Sequence, residues 1–406
     1  MSWEYIRLGD VCTKIGSGAT PKGGATAYID EGTSFIRSQN IYNLEFSHEG
    51  LVHITEDAAK KLNGVAVQKD DVLINITGDS VARTCMVPDA VLPARVNQHV
   101  AIVRPDSNRL NPRFLNYYLT SPYMQSLMLG LAVGKGASRN AMTKDMIANF
   151  DILCPPIEIQ ESIVGILSTY DALIENNQRQ IKLLEEAAQR LYKEWFVDLR
   201  FPGHENTKIT DGIPERWRKY KFSDTTSIMS GGTPKTDVKG FYNGNIPFYT
   251  PKDSDDSFFA FDTITHISQS GLDNCNSQLY PVNTVIITAR GTVGKTTILA
   301  VPMAMNQSCY ALKCDELNSP YYLFFSLKNE VAALKKMANG GVFNTIIVKT
   351  FDSIYLIAPT QDVLNMFEAS VSPIMEQIKT KARQNIILTE ARDRLLPKLM
   401  SGEIEL

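Results

Sequence analysis

What this chain does without narrows its chemistry first. No stretch approaches the roughly 20 consecutive apolar residues needed to span a bilayer, so no membrane partner is expected. The start, Met-Ser-Trp-Glu-Tyr-Ile-Arg, lacks the apolar core of a signal peptide, and a cytoplasmic location is the expectation. The six cysteines, at 12, 85, 154, 275, 309 and 314, form no Cys-x-x-Cys pair. The five histidines, at 48, 53, 99, 204 and 266, show no metal-ligand spacing. Neither zinc nor a disulfide framework follows, and free thiols in a reducing compartment are expected. There is no paired-carboxylate nuclease pattern and no nucleophile elbow. An excess of either charge is missing too, since 41 Lys and Arg face 44 Asp and Glu for a net charge of -3. That balance excludes an indiscriminate polyanion binder, but not a groove reader whose cations share one face.

Two segments imitate catalytic motifs and fail on context. Ala289-Arg-Gly-Thr-Val-Gly-Lys-Thr296 follows a strand pattern and approaches a phosphate loop. A phosphate loop needs a helix to begin at the Lys-Thr, whereas Thr297-Ile-Leu-Ala-Val-Pro302 is β-like and ends at a proline. Cys154-Pro-Pro-Ile157 is the nearest approach to an adenine-methyltransferase tetrapeptide, and it lacks the amide and the aromatic ring. Gly16-Ser-Gly18 meets Pro21 where a cofactor-binding helix should start. No catalytic residue is assigned, and neither a metal nor a cofactor is expected on this chain.

What the chain does have is a duplication. Ser17-Gly-Ala-Thr-Pro-Lys22 returns as Ser230-Gly-Gly-Thr-Pro-Lys235, 213 positions later. Phe35 matches Phe248 at the same offset, Val72–Val81 matches Thr284–Val293 at 212, and Asn97-Gln98 matches Asn306-Gln307 at 209. Pro155 pairs with Pro359, Arg179-Gln180 with Arg383-Gln384 and Arg190-Leu191 with Arg394-Leu395 at 204. The slow shrinkage is what loop deletions produce. Each half runs globular domain, proline, then helix, which predicts domains over 1–155 and 201–360 and helices over 156–200 and 361–406.

The helices carry a heptad seam. Ile163, Leu167, Tyr170, Ile174, Asn177, Ile181, Leu184, Ala188, Leu191 and Trp195 alternate spacings of four and three. The second copy offers Phe367, Val371, Ile374, Ile378, Leu388, Leu395 and Leu399, broken by Lys381, Asn385 and Arg392. A rod of about 60 Å, at 1.5 Å per residue, needs a partner helix. The spacing predicts that the two rods pack antiparallel and set the separation of the domains. Asn177 and Lys381, matched polar breaks, are expected to fix register.

Each globular half reads as mixed α and β, with strands over Val72–Ile76 and Thr284–Thr288 and helical stretches over Pro112–Met128 and Pro320–Met337. The loops between them hold the side chains that hydrogen-bond base edges and phosphates. In the first half these are Lys22, Arg37, Gln39, Asn40, Arg83, Arg95, Asn97, Gln98, Lys135, Arg139 and Asn140. In the second they are Lys235, Thr250, Lys252, Arg290, Lys295, Asn306, Gln307, Asn339 and Asn344. Such residues populate any solvated loop; their recurrence in both halves while the intervening sequence diverges suggests two readers of different texts.

Three strings then resemble a known family. They are Leu191-Tyr-Lys-Glu-Trp-Phe-Val-Asp-Leu-Arg-Phe-Pro-Gly-His-Glu205, Ile213-Pro-Glu-Arg-Trp217 and Leu395-Leu-Pro-Lys-Leu-Met-Ser-Gly-Glu-Ile404. They are similar to the conserved regions of specificity (S) subunits of type I restriction-modification systems. The Ser-Gly-x-Thr-Pro-Lys segments resemble the starts of that family's target-recognition domains. The resemblance implies an α+β chain with two pseudo-symmetric target-recognition domains separated by a pair of long antiparallel coiled-coil helices. It implies a non-catalytic reader of a bipartite sequence in double-stranded DNA, docked to two methyltransferase (M) subunits and, in the full complex, to restriction (R) subunits. S-adenosylmethionine and ATP are then expected on those partners. Recognition loops vary freely in such a family, so base-contacting residues do not carry over.

Overall fold

The computed structural model describes residues 3–133, 141–314, 317, 319–337 and 345–406. Two compact units emerge, one from residues 1–174 with 387–406, the other from 175–386. The cuts fall inside the long helices, so each unit owns a globular part and a stretch of both helices. The four-part division drawn from the sequence separates globular from helical segments instead.

In the first unit, Cys12–Ser17, Val100–Pro105, Val72–Asn75 and Thr84–Met86 form an antiparallel sheet in that order. Val72–Asn75 is an unbroken buried run because apolar layers cover both of its faces. The period of two divides it: Val72 and Ile74 join the core under the helices, while Leu73 joins a second cluster with Val100 and Ile102. A second sheet runs Val52–Ile54, Thr33–Ile36, Ala94–Val96, Ala66–Val67, with its central two strands parallel. The expected helix over Pro112–Met128 is two helices, Pro112–Thr120 and Pro122–Ala132. Ser121 ends the first and caps the second, its hydroxyl accepting from the Met124 amide, and Pro122 cannot continue a helix.

The second unit repeats this plan with one strand added to the first sheet and, among the described residues, one fewer in the second. Thr226–Ser230, Cys309–Cys314, Val285–Thr288 and Thr296–Leu299 reproduce the first sheet, extended by Phe259–Ala260. His266–Ile267, Ile246–Tyr249 and Ala304–Met305 reproduce the second, again with a parallel pair. Val285 and Ile287 face one cluster and Ile286 the other, so Val285 and not Thr284 is the counterpart of Val72, one position beyond the sequence match. Pro320–Met337 is one helix, as expected.

The central helix spans Ile157–Tyr192 and the C-terminal helix Gln361–Ser401. Inside each unit their stretches pack antiparallel. In the first, Ile163 and Leu167 share a cluster with Leu396, Leu399 and Met400; in the second, Ala188, Tyr192 and Trp195 share one with Phe367, Val371 and Ile378. Three details differ from the heptad reading. A π turn at Lys193–Val197 ends the central helix, and Tyr192, Trp195 and Phe196 are the buried residues there while Leu191 is half-buried. A 3.6-residue helix drifts from a 3.5 repeat, so the seam steps by four from Ala188 to Tyr192. The same drift buries Leu396 where Leu395 was expected, and leaves Tyr170, Ile174, Ile181, Leu184, Ile374 and Leu388 half-buried. Finally, Asn177 meets Asn385, its Nδ2 donating to Oδ1 at 3.0 Å, and not its repeat counterpart Lys381. Antiparallel packing brings together positions on opposite sides of the crossing, so equivalent residues need not touch.

Candidate nucleic-acid interface

The duplicated hexapeptide does structural work in both units. A Cβ on Gly18 would stand 2.2 Å from the carbonyl oxygens of Val96 and Asn97. One on Gly231 would stand 2.2 Å from that of Met305 and 2.4 Å from that of Asn306. Only glycine lets the backbone cross the Asn-Gln segment so closely. The next Thr secures the crossing: Thr20 donates its hydroxyl to Oε1 of Gln98, and Thr233 to Oε1 of Gln307. Asn97 and Asn306 hold the turn itself, each accepting the amide two residues on, from His99 at 3.1 Å and Ser308 at 2.9 Å. The two sequence anchors recur together because they are one contact.

In the first unit this contact borders a groove of about 790 Å³ lined by Ser38, Gln39, Tyr42, Thr77, Gly78, Asp79, Ser80, Arg83, His99 and Ala141. A chain of hydrogen bonds leads into it. Gln98 Nε2 lies 3.3 Å from His99 Nε2, and His99 Nδ1 lies 2.6 Å from Thr77 Oγ1. An amide nitrogen can only donate, so Nε2 accepts, Nδ1 carries the proton, and the Thr77 hydroxyl keeps its own proton to give. Arg83 stacks on Tyr42 with its guanidinium carbon 4.7 Å from the ring centroid. Stacking orders the guanidinium while leaving its N–H edge for an acceptor.

The remaining candidates of the first unit divide by their contacts. Arg37 donates to the Gly50 carbonyl at 2.6 Å beside the Tyr28 ring, and Gln39 reaches the same oxygen at 3.4 Å. Arg95 is committed to the carbonyls of Ala59 and Ala94 at 3.1 and 2.9 Å. Asn40 is 0% exposed, accepting from the Arg37 amide and donating to the carbonyls of Ser47 and Glu49. It is a turn-builder: its amide is spent inside the fold, which removes it from any direct contact with a ligand. Asn97, 8% exposed, is likewise a turn residue. Lys22 is exposed.

In the second unit Lys235, Lys252, Arg290 and Gln307 are exposed. Thr250 repeats the Asn40 turn in another form, its amide and hydroxyl both donating to Asp253, at 2.8 and 2.7 Å. Lys295 pairs with Asp256 at 3.1 Å. Residues 289–296 form a hairpin turn, with Thr288 Oγ1 accepting the Lys295 amide at 3.0 Å and Gly291 and Gly294 at positive φ. Thr296–Leu299 is a strand, so this loop lacks the helix amides that hold phosphates. Lys135, Arg139, Asn140, Asn339 and Asn344 lie outside the described residues.

Thr77, His99 and Tyr42 line the groove but were not among the candidates from the sequence. His99 directly follows Asn97-Gln98, which was a usable signal; Thr77 and Tyr42 enter only through the fold. Burial pushes the thiols of Cys12, Cys85 and Cys309 up to about 12, which keeps them protonated and poor nucleophiles. Among the described residues no group of three or more His, Cys, Asp or Glu is placed to hold a metal, and no helix is long and apolar enough to cross a membrane.

The duplicated α+β units and the helix stretches in each define a class. The profile of the type I restriction modification DNA specificity domain matches residues 1–186 and again 214–363. The chain belongs to the family of type I restriction-modification specificity subunits. It is 24% identical to the type I restriction enzyme HindI specificity subunit of Haemophilus influenzae over 466 aligned residues, covering 99% of both chains. It is 25% identical to the MjaIX specificity subunit of Methanocaldococcus jannaschii, covering 99% of this chain and 93% of that one. The crystal structure of the S subunit of a type I restriction-modification system from M. genitalium shares the fold, with a TM-score of 0.58 at 14% identity, covering 98% of this chain and 96% of that one.

Proposed function

We propose that this chain is a non-catalytic reader of a bipartite sequence in double-stranded DNA, one half-site for each globular part. The observation that carries the reading is the pair of matched crossings, Thr20 to Gln98 and Thr233 to Gln307, each beside loops that differ. Equivalent scaffolds with divergent loops are what two half-sites of different sequence require. Exposed cations such as Lys22, Lys235 and Lys252 take phosphates and fix register, and groove side chains such as Arg83 discriminate bases at about 1–3 kcal/mol per good bidentate contact. The long helices set the separation of the half-sites and dock methyltransferase subunits, two per chain, through which restriction subunits join. S-adenosylmethionine and ATP reside on those partners, and the complex works in the cytoplasm, where the DNA is.

A gel shift tests this. The chain reconstituted with its methyltransferase subunits is expected to retain a duplex carrying both half-sites and to release one in which either is scrambled. Equal retention of all duplexes contradicts sequence reading, and no retention of any leaves only a protein-joining adaptor.

A further inference from the structure

Three elements of the first unit meet at one carboxylate. Arg392, on the C-terminal helix, donates from Nη1 to Oδ1 of Asp171 on the central helix at 2.8 Å. Tyr117, on helix Pro112–Thr120 of the globular part, donates its hydroxyl to Oδ2 of the same Asp171. Arg392 also holds Asp393 at 2.9 Å, and its side chain is 14% exposed. Burial, reinforced by Asp171, pushes the Tyr117 hydroxyl up from its ordinary value against the opposing pull of Arg113 and Arg392, so it stays a donor.

The duplication supplies an internal comparison. Pro112 and Pro320 open equivalent helices, which aligns Tyr117 with Phe325; the helix offset of 204 aligns Asp171 with Met375 and Arg392 with Ala188. Phe325, Met375 and Ala188 are all buried in one apolar cluster of the second unit. Hydrocarbon fills in one unit the place that an ion pair and a phenol fill in the other. Stability does not account for the difference, because apolar replacements of buried ion pairs are often as stable or more so. Direction does. Apolar burial is satisfied over a range of angles, whereas charge-assisted hydrogen bonds to one carboxylate hold their donors in a set geometry.

We infer that Tyr117, Asp171 and Arg392 are positioning residues that fix the first recognition domain at one angle to the helix pair, and so narrow the half-site separation the complex accepts. The inference rests on the two-reader function proposed above. None of the three contacts DNA; they act through the domain they orient.

The test uses the full chain assembled with methyltransferase subunits, and duplexes carrying both half-sites at the native separation or one base pair longer or shorter. The triple variant Tyr117→Phe/Asp171→Met/Arg392→Ala installs the set that already packs in the second unit. It is expected to bind the native duplex and keep its half-site preferences, while its preference for the native separation falls about ten-fold, the scale of one charge-assisted hydrogen bond. Should the triple variant fail to fold, Tyr117→Phe removes a single oxygen and is expected to lower the preference about three-fold. Undiminished preference for the native separation in the folded variant overturns the inference. Failure of the parent complex to bind any of the duplexes overturns the two-reader function instead.

Discussion

Asn177 donates its side-chain amide to the side-chain carbonyl oxygen of Asn385 at 3.0 Å, across the seam between the two long helices. A polar pair at such a position selects register at a cost in stability. Asn177→Ala is expected to destabilise the second unit by about 1 kcal/mol through the lost hydrogen bond, read as a lower urea midpoint. Replacing both residues by Leu is expected to raise that midpoint. A lower midpoint for the double Leu variant would show that the pair stabilises the seam and does not merely select it.

Gly18 and Gly231 make separate, parallel predictions. Adding a methyl group at either forces a carbonyl contact of 2.2 Å to open. Gly18→Ala and Gly231→Ala are each expected to destabilise their own unit by on the order of 3 kcal/mol, measured by chemical denaturation. In DNA binding, Gly18→Ala is expected to impair only the half-site read by the first domain. Wild-type stability in either variant contradicts the crossing geometry.

Arg83, ordered by Tyr42, presents its guanidinium edge to the groove. Arg83→Ala in the assembled complex is expected to weaken binding by about 1–3 kcal/mol and to relax base preference at one position of one half-site. Thr77→Val removes the hydroxyl that the His99 chain orients and is expected to act on the same half-site. A uniform loss across all sequences would instead mark Arg83 as a phosphate contact, with a shallower salt dependence as its signature.

Glu185 supplies a pH prediction. Burial raises its carboxyl above the ordinary range, against the Phe258 amide it accepts at 3.3 Å and the pull of Lys328, with Asp255 and Asp256 adding to the rise. A raised folded value favours the folded state at acid pH, and that advantage is lost as pH climbs from about 4.5, the unfolded value, through the folded value. Glu185→Gln keeps an acceptor for Phe258 without the charge. It is expected to be the more stable protein at pH 7 and to show little difference below pH 4, by thermal melts across the range. A Gln variant less stable at pH 7 shows that the pairing with Lys328 outweighs burial.

Much of this architecture was legible because its causes are local. The recurrence of Ser-Gly-x-Thr-Pro-Lys announced two equal units, and the apolar runs Val72–Ile76 and Thr284–Thr288 announced strands. Residues whose roles depend on distant neighbours were not legible. Asn40 had the right chemistry for adenine but lies where Asp253 lies in the other half, and both close the same turn. An Asp cannot do what Asn does at an adenine edge, so that correspondence was a signal of structure. Asp171 gave no sign at all: its partners Tyr117 and Arg392 are brought to it only by the fold. The π turn at Lys193–Val197 escaped as well: Trp195 is buried at its expected seam position, so the apolar spacing carried no trace of the wider turn.

The two-reader function requires each globular part to read its own half of one DNA sequence. The decisive experiment is methylome sequencing of cells expressing the chain with residues 1–155 exchanged for those of a relative. One half of the modified sequence is expected to change while the other half is kept. A change in both halves, or in neither, would contradict the two-reader function.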